Sequence, residues 1–262
     1  MPTNASREPA GSSAPALRRA VQILDKIAEL PSPPTFTDIV SLLGLPKSSA
    51  HGLCATLVEL GLLIRSDAGT YRLGAHTMRW ANGFLRQTDI VGEFQRLLQE
   101  RRELAQFTLT LTILDGQQVV YLACSNTNSA LGFTFRIGMR LPAAFTATGK
   151  AMLSRLSDQE VMGRLGSHWP QPLTAHSVST PDALAEELRI TRQRGFSIDD
   201  GQIREGMLCI GAAVSDFSDA VCAGIAVSML AVEATDQRVN ETGRILVDIA
   251  HALSQRLGSS QP

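Results

Sequence analysis

The 262-residue chain reads as an α+β protein, a small helical head closed by a hairpin and followed by a larger strand-rich domain. Three observations predict this. Residues 36–63 hold two amphipathic helical stretches separated by Gly44-Leu45-Pro46. Two strand-like runs, 62–65 and 70–73, follow at once around Ser66-Asp67-Ala68-Gly69. From Phe107 onward the apolar period falls from helical spacing to two, the mark of half-buried strands.

In the first stretch, residues 37–43, the apolar positions are Ile39, Leu42 and Leu43. Gly44 tolerates a left-handed turn, and Pro46 forces the residue before it out of helical geometry. The second stretch, residues 47–60, is apolar at Ala50, Leu53, Cys54, Leu57 and Val58, one face of a helix. Its other face carries Lys47, Ser48, His51, Thr56 and Glu59. Gly61 ends it as a glycine after a helix terminus does. A short helix, a glycine turn and a second helix that begins with small polar residues form the helix-turn-helix pattern, whose second helix enters a major groove. Two amphipathic helices in any small bundle would look similar. The Asp/Gly turn between strand runs then reads as a hairpin, which makes a wing, with Arg65 and Arg72 flanking its tip.

Composition bounds the function classes. At 44% hydrophobic and 19% charged, the chain suits one large or two modest domains. A net charge of −1 excludes a chain-wide basic signature for nucleic acid. Residues 1–80 hold eight Lys/Arg and six Asp/Glu, a net of +2, which leaves −3 for the remainder. Cys54, Cys124, Cys209 and Cys222 form no C-x-x-C pair and sit in apolar runs, the expectation for a reduced, cytoplasmic protein. No apolar run is long enough to span a bilayer, so no membrane partner is expected.

Taken in order, residues 1–16 read as a disordered tail rich in Pro, Ser, Ala and Gly. Arg18 and Arg19 open a supporting helix to residue 30, and both could touch phosphate. Thr35 and Asp38 have the spacing of a capping box. The head is assigned to residues 17–76, a linker helix to 77–90 and the second domain to 91–258. Helical runs are expected over 74–86 and 89–104. Strands are expected over 107–113, 118–123, 131–137, 196–198, 208–214 and 221–229. Helices are expected over 148–156, 158–165, 180–194 and 235–257. Strands in two groups, with helices between and at both ends, predict a mainly antiparallel sheet.

Within this frame, Arg136-Ile137-Gly138-Met139-Arg140-Leu141-Pro142 followed by Thr148-Gly149-Lys150-Ala151 resembles the effector-domain signature of IclR-family transcriptional regulators. So do residues 195–200, GFSIDD, with Gly206 and Cys209-Ile210 downstream. Leu45-Pro46-Lys47-Ser48-Ser49 is similar to that family's recognition-helix start, and Tyr71-Arg72-Leu73-Gly74 to its wing exit. The resemblance covers about residues 17–257 in one register. It implies a winged helix-turn-helix, a linker helix and a GAF-like effector-binding domain. It also implies double-stranded operator DNA, a homodimer or tetramer, and a small-molecule effector, a carboxylate, as partners.

Carried over position by position, the effector site comprises Phe133, Leu141, Ala147, Thr148, Gly149, Asp199, Cys209, Ala226 and Ser228. The loop entering a helix at Ala147-Thr148-Gly149 suits an anion, because free backbone N–H groups and the helix dipole meet there. Thr146 or Thr148 capping that helix is the alternative. Ala226 stands where the family has a hydroxyl, and Phe133 is an apolar wall; together they favour a less polar acid, such as an aromatic one. Gly52 stands where family members commonly carry Arg, which removes a DNA contact. The DNA-reading set is Arg18, Arg19, Lys47, Ser48, Ser49, His51, Thr56, Arg65 and Arg72.

A phosphate-binding loop ending at Thr148-Gly149-Lys150 needs Gly at 144 and Ser or Thr at 151, and both positions are Ala. The five histidines have no metal-ligand spacing, and neither metal nor cofactor is expected. A GAF-like enzyme and a ligand-free architectural DNA-binding protein are the competing readings. The winged head argues against the first and the large strand-rich domain against the second. The expectation is a ligand-responsive repressor, not an enzyme.

Overall fold

The structure, a computed structural model, describes residues 14–80, 89–125, 135–166 and 169–260. The chain divides into two compact units, Met1–Gln87 and Thr88–Pro262.

In the first unit, α1 (Pro15–Glu29), α2 (Phe36–Leu43) and α3 (Lys47–Glu59) precede the hairpin β1 (Leu63–Arg65) and β2 (Tyr71–Leu73). The first helix starts three residues earlier than Arg18, because Pro15 at its first turn needs no N–H partner. The capping box at α2 is formed in both directions, Thr35 Oγ1 accepting from the Asp38 N–H and the Asp38 carboxylate accepting from the Thr35 N–H. Gly44 closes α2 at φ +60°, in the left-handed region. After α3 the Gly61 N–H bonds the Val58 carbonyl and the Leu62 N–H bonds that of Leu57, the paired bonds of a Schellman motif. Ile23, Ile27, Ile39, Cys54, Leu57, Leu62, Leu63 and Tyr71 form the core of this unit. Leu42 and Val58, expected on the buried faces, are exposed. With a single small core to fill, each helix turns a narrower stripe inward than its apolar residues would allow.

The second unit begins with α4 (Ile90–Glu100), which ends short of the expected residue 104, and Leu104 buries itself from a turn. Then come β3 (Thr108–Asp115), β4 (Gln118–Ser125), β5 (Arg140–Pro142), α5 (Ala147–Leu153), α6 (Asp158–Leu165), α7 (Pro181–Arg194), β6 (Ser197–Asp200), β7 (Met207–Ser215), β8 (Val221–Leu230) and α8 (Asp236–Arg256). The sheet is antiparallel, in the order β5-β4-β3-β8-β7-β6. This is the GAF-like arrangement the resemblance implied. The strand expected over 131–137 does not form over its described part: Phe135 to Ile137 belong to no strand, Gly138 turns at φ +80° and the Met139 N–H bonds the Arg136 carbonyl. Backbone bonds to Tyr121 of β4 begin at Gly138 and Met139, and the strand register runs from Arg140. Residues 131–134 lie outside the described residues, as do 81–88 of the expected linker helix.

Strand alternation sends side chains to two cores. Leu109, Leu111, Ile210, Ala212, Ile225 and Val227 meet α4 and α8 on one face. Cys209 and Ala226 face the layer of α5 and α7 on the other. Gly211 and Gly224 let α5 lie on that face. A Cβ on Gly211 would stand 2.4 Å from the Ala147 carbonyl group, and one on Gly224 3.0 Å from Thr148.

Candidate functional site

The head surface is built from α3 and the hairpin. Lys47, Ser48, His51 and Thr56 are exposed, and Ser49 is half-buried. The residue before α3 is Pro46, no side chain caps the helix, and its first turn holds no acid. Its opening N–H groups therefore add the positive end of the helix dipole to Lys47. His51 packs edge-on to Phe36, which fixes its ring beside α2. In the wing, Ile64 pairs with Arg72 and Arg65 with Tyr71. The two arginines thus leave opposite faces of the ribbon instead of flanking its tip together. Arg65 lies 5.9 Å over the Tyr71 ring. Arg18 is exposed and Arg19 half-buried on α1.

The second site is a buried cavity between α5 and the sheet. Thr110, Tyr121, Phe135, Thr146, Ala147, Thr148, Asp199, Ile203, Met207, Cys209, Ala226 and Ser228 line it. Six of the expected effector residues are thus brought together: Ala147, Thr148, Asp199, Cys209, Ala226 and Ser228. Leu141 packs on the same core from β5 but does not line the cavity. Gly149 is no wall either; a Cβ there would stand 2.2 Å from the Ala143 carbonyl oxygen, so it serves close packing. Phe133 lies outside the described residues. Thr110, Tyr121, Phe135, Thr146, Ile203 and Met207 were not read from the sequence. The Thr108/Thr110/Thr112 alternation pointed to a polar sheet face, but nothing in the chain tied that face to α5.

Strand register explains the polar wall. Asp199 pairs with Cys209, Cys209 with Ser228 and Ser228 with Thr108, one rung across four strands. Cys209 Sγ and Ser228 Oγ share a hydrogen bond of 3.1 Å. Asp199 Oδ1 accepts from the backbone N–H groups of Gln202 at 2.7 Å and Ile203 at 3.3 Å. Burial nevertheless pushes its carboxyl up to about 6, against the opposing pull of Lys150 and those two N–H groups. Burial likewise pushes the Cys209 thiol and the Tyr121 phenol well above their ordinary values. Tyr121 and Phe135 stack with ring centroids 5.2 Å apart.

Thr146 caps α5, its hydroxyl accepting the Gly149 N–H at 3.1 Å, so the helix end expected to be open to an anion is partly closed. Thr148 Oγ1, also buried, finds no hydrogen-bond partner among the described residues. An unpaired buried hydroxyl is costly, and here it borders the cavity. The void is small: about 10 Å³ admits the centre of a water molecule, roughly room for one water. A larger, open cleft of about 810 Å³ lies against α8 and the ends of α5, α6 and α7. Its Arg192 is already engaged by the Ser154 and Leu156 carbonyls and by Asp158. The small cavity, with an unpaired hydroxyl and a buried carboxyl, is the better candidate for recognition. Among the described residues no cluster could hold a metal, and no helix is long and apolar enough to cross a membrane.

Residues 82–255 match the family described as bacterial transcriptional regulator IclR C-terminal, and residues 16–67 match the IclR helix-turn-helix domain. The crystal structure of the Agobacterium tumefaciens repressor BlcR is 52% identical, with a TM-score of 0.76, covering 96% of this chain and all of that one. The regulator XynR of Escherichia coli K12 is 30% identical over 93% of this chain and 97% of its own. An IclR homolog of Microbacterium hydrocarbonoxydans, solved with 4-hydroxybenzoate, shares the fold at 23% identity and a TM-score of 0.53, covering 92% of this chain and 98% of that one. These relatives are regulators, not enzymes. The chain belongs to the IclR family of bacterial transcriptional regulators, ligand-responsive proteins that bind DNA.

Proposed function

We propose that this regulator represses its target by binding a partly palindromic operator as a homodimer or tetramer, and that a small organic acid in the C-terminal cavity changes that binding. Lys47, Ser48, Ser49, His51 and Thr56 read the major groove from α3, and Arg18, Arg19, Arg65 and Arg72 meet phosphates. Because the wing arginines leave opposite faces of the hairpin, one of the pair carries most of the wing contact. The cytoplasm is where such a protein works.

The observation that carries the effector reading is the unpaired Thr148 hydroxyl in a closed cavity beside Asp199, Cys209 and Ser228. A ligand oxygen there would give that hydroxyl a partner. A structural relative crystallised with 4-hydroxybenzoate supports an acid as ligand. In the closed cavity Tyr121 and Phe135 must separate to admit a ring, whereas a short aliphatic acid needs less displacement. Coupling requires only that the acid prefer one arrangement of the paired chains.

A thermal-shift screen of small aliphatic and aromatic carboxylates, followed by operator titration, tests the reading. Binders are expected to raise the melting temperature by linkage and to change operator affinity. In Thr148→Val, which keeps the shape and loses the hydroxyl, the response should weaken while ligand-free operator affinity stays the same. A normal response in that variant would remove Thr148 from the site.

A further inference from the structure

We infer that the C-terminal cavity takes up a carboxylic acid as its anion together with one proton, and that Asp199 holds that proton. The inference rests on the effector reading above. It follows from counting charge around a closed space.

Lys150 is fully buried, and its ammonium donates to Glu187 Oε2 at 2.6 Å. Glu187 Oε1 accepts from Gln202 Nε2 at 2.9 Å, and the Gln202 backbone N–H reaches Asp199. One cation therefore serves two carboxylates; it is paired directly with Glu187 and does not line the cavity. The titratable and charged groups around Asp199 are Lys150 on α5, Glu187 on α7, Tyr121 on β4, Cys209 on β7 and its own neighbour Asp200. Among the described residues no Lys, Arg or His lines the cavity. An entering carboxylate would be a second anion beside Asp199, with Lys150 already paired to Glu187, in a space with room for about one water. Burying a charge without a partner is not sustained; the group neutralises instead.

Asp199 is the group able to do so. Tyr121 and Cys209 already carry their protons, since burial pushes both well above their ordinary values. The Asp199 carboxyl is poised at about 6, lifted by desolvation and drawn down by Lys150. A second carboxylate beside it raises it further, as in any pair of like charges sharing one site. The balance is simple: ionised Asp199, the ligand carboxylate and one proton from solvent give a complex with Asp199 as its acid. The new O–H can then donate to the ligand carboxylate. Affinity must fall as pH rises above about 6, by up to about tenfold per pH unit while the bound Asp199 stays protonated.

The test is calorimetry of the full chain with propanoate and with 4-hydroxybenzoate, at about pH 7.5, in HEPES and in Tris, which differ in ionisation enthalpy. The expected result is a heat that differs between the buffers by close to one proton taken up per ligand, with a dissociation constant about tenfold larger one pH unit higher. Asp199→Asn should abolish both the buffer dependence and the pH dependence of whatever binding it retains. Binding without proton uptake in the unaltered protein overturns the inference and leaves the effector reading intact. Uptake that persists in Asp199→Asn overturns the assignment to Asp199. No heat from either acid overturns the carboxylate reading, and the inference with it. The buffer comparison on the unaltered protein does not depend on the variant folding.

Discussion

Asp199 concentrates the chemistry of the C-terminal unit in one side chain. Its two backbone donors orient it, and its burial makes the charge unfavourable. This has a consequence for stability as well as binding. A carboxyl raised from 3.8 to about 6 on folding leaves the folded state fully favoured only below its unfolded value, and that contribution is lost as pH rises through about 6. The loss at neutral pH is on the order of 3 kcal/mol for a shift of about two units. Asp199→Asn is therefore expected to melt higher than the unaltered protein at about pH 7.5, with the gap closing toward about pH 4. Melting curves across that range check it, and a gap that does not shrink in acid would contradict the assignment. Thr148 is the complementary case. Its hydroxyl lacks a partner among the described residues, so Thr148→Val should leave the ligand-free protein equally or more stable, by up to about 1 kcal/mol. Chemical denaturation reads this directly.

At the scale of elements, glycines decide more than their number suggests. Gly211 lies under α5, with no room for a Cβ against the Ala147 backbone. Gly211→Ala should push α5 off the sheet, lower stability by about 2 kcal/mol or more and abolish the ligand-induced thermal shift. Gly52 is the opposite kind. It sits within α3 with open space where its Cβ would be, so Gly52→Ala should stabilise the head by about 1 kcal/mol. Calorimetric unfolding that shows no gain would point to strain unseen around α3. In the proposed reading that helix meets the DNA, and its first turn is uncapped and acid-free beside Lys47. Lys47→Ala should weaken operator binding and reduce the slope of log affinity against log salt by about 1, the signature of one lost phosphate contact. His51→Ala should relax sequence preference more than the salt slope. Titrations at several salt concentrations separate the two.

Across the whole molecule, charge and size argue for paired heads. The first 80 residues carry a net charge of only about +2, too little to hold DNA through phosphates alone. One α3 covers a few base pairs, and α3 lacks an arginine at Gly52. Joining two heads makes the second contact intramolecular and multiplies affinity by roughly 10²- to 10⁴-fold. The full chain should thus bind a duplex holding two half-sites one helical turn apart far more tightly than the same duplex with one half-site scrambled. Equal affinity for both would defeat the paired reading.

Much of this organisation is legible in the linear chain, and physical chemistry says which parts. Capping and turn signals are local, so Thr35 with Asp38, Gly44, Gly61 and Gly195 mark their helix ends without help from the fold. Hydrophobic period is local too, and it separates the helical head from the sheet at Phe107. The strand expected at residues 135–137 does not form there, because a run of apolar and aromatic residues cannot reveal that Gly138 turns the chain ahead of the strand that starts at Arg140. For the cavity, the family motifs pointed to Asp199, Cys209 and Ser228, but strand register alone aligned them in one rung. Tyr121 and Thr110 joined them only because β3 and β4 pair beside β8 and α5 crosses above. Sequence by itself determined the two units, their order and the groups that carry charge or hydroxyls. Tertiary structure decided which of those groups lose water together. That loss leaves Thr148 without a partner and raises Asp199, since desolvation depends on neighbours far apart in the chain.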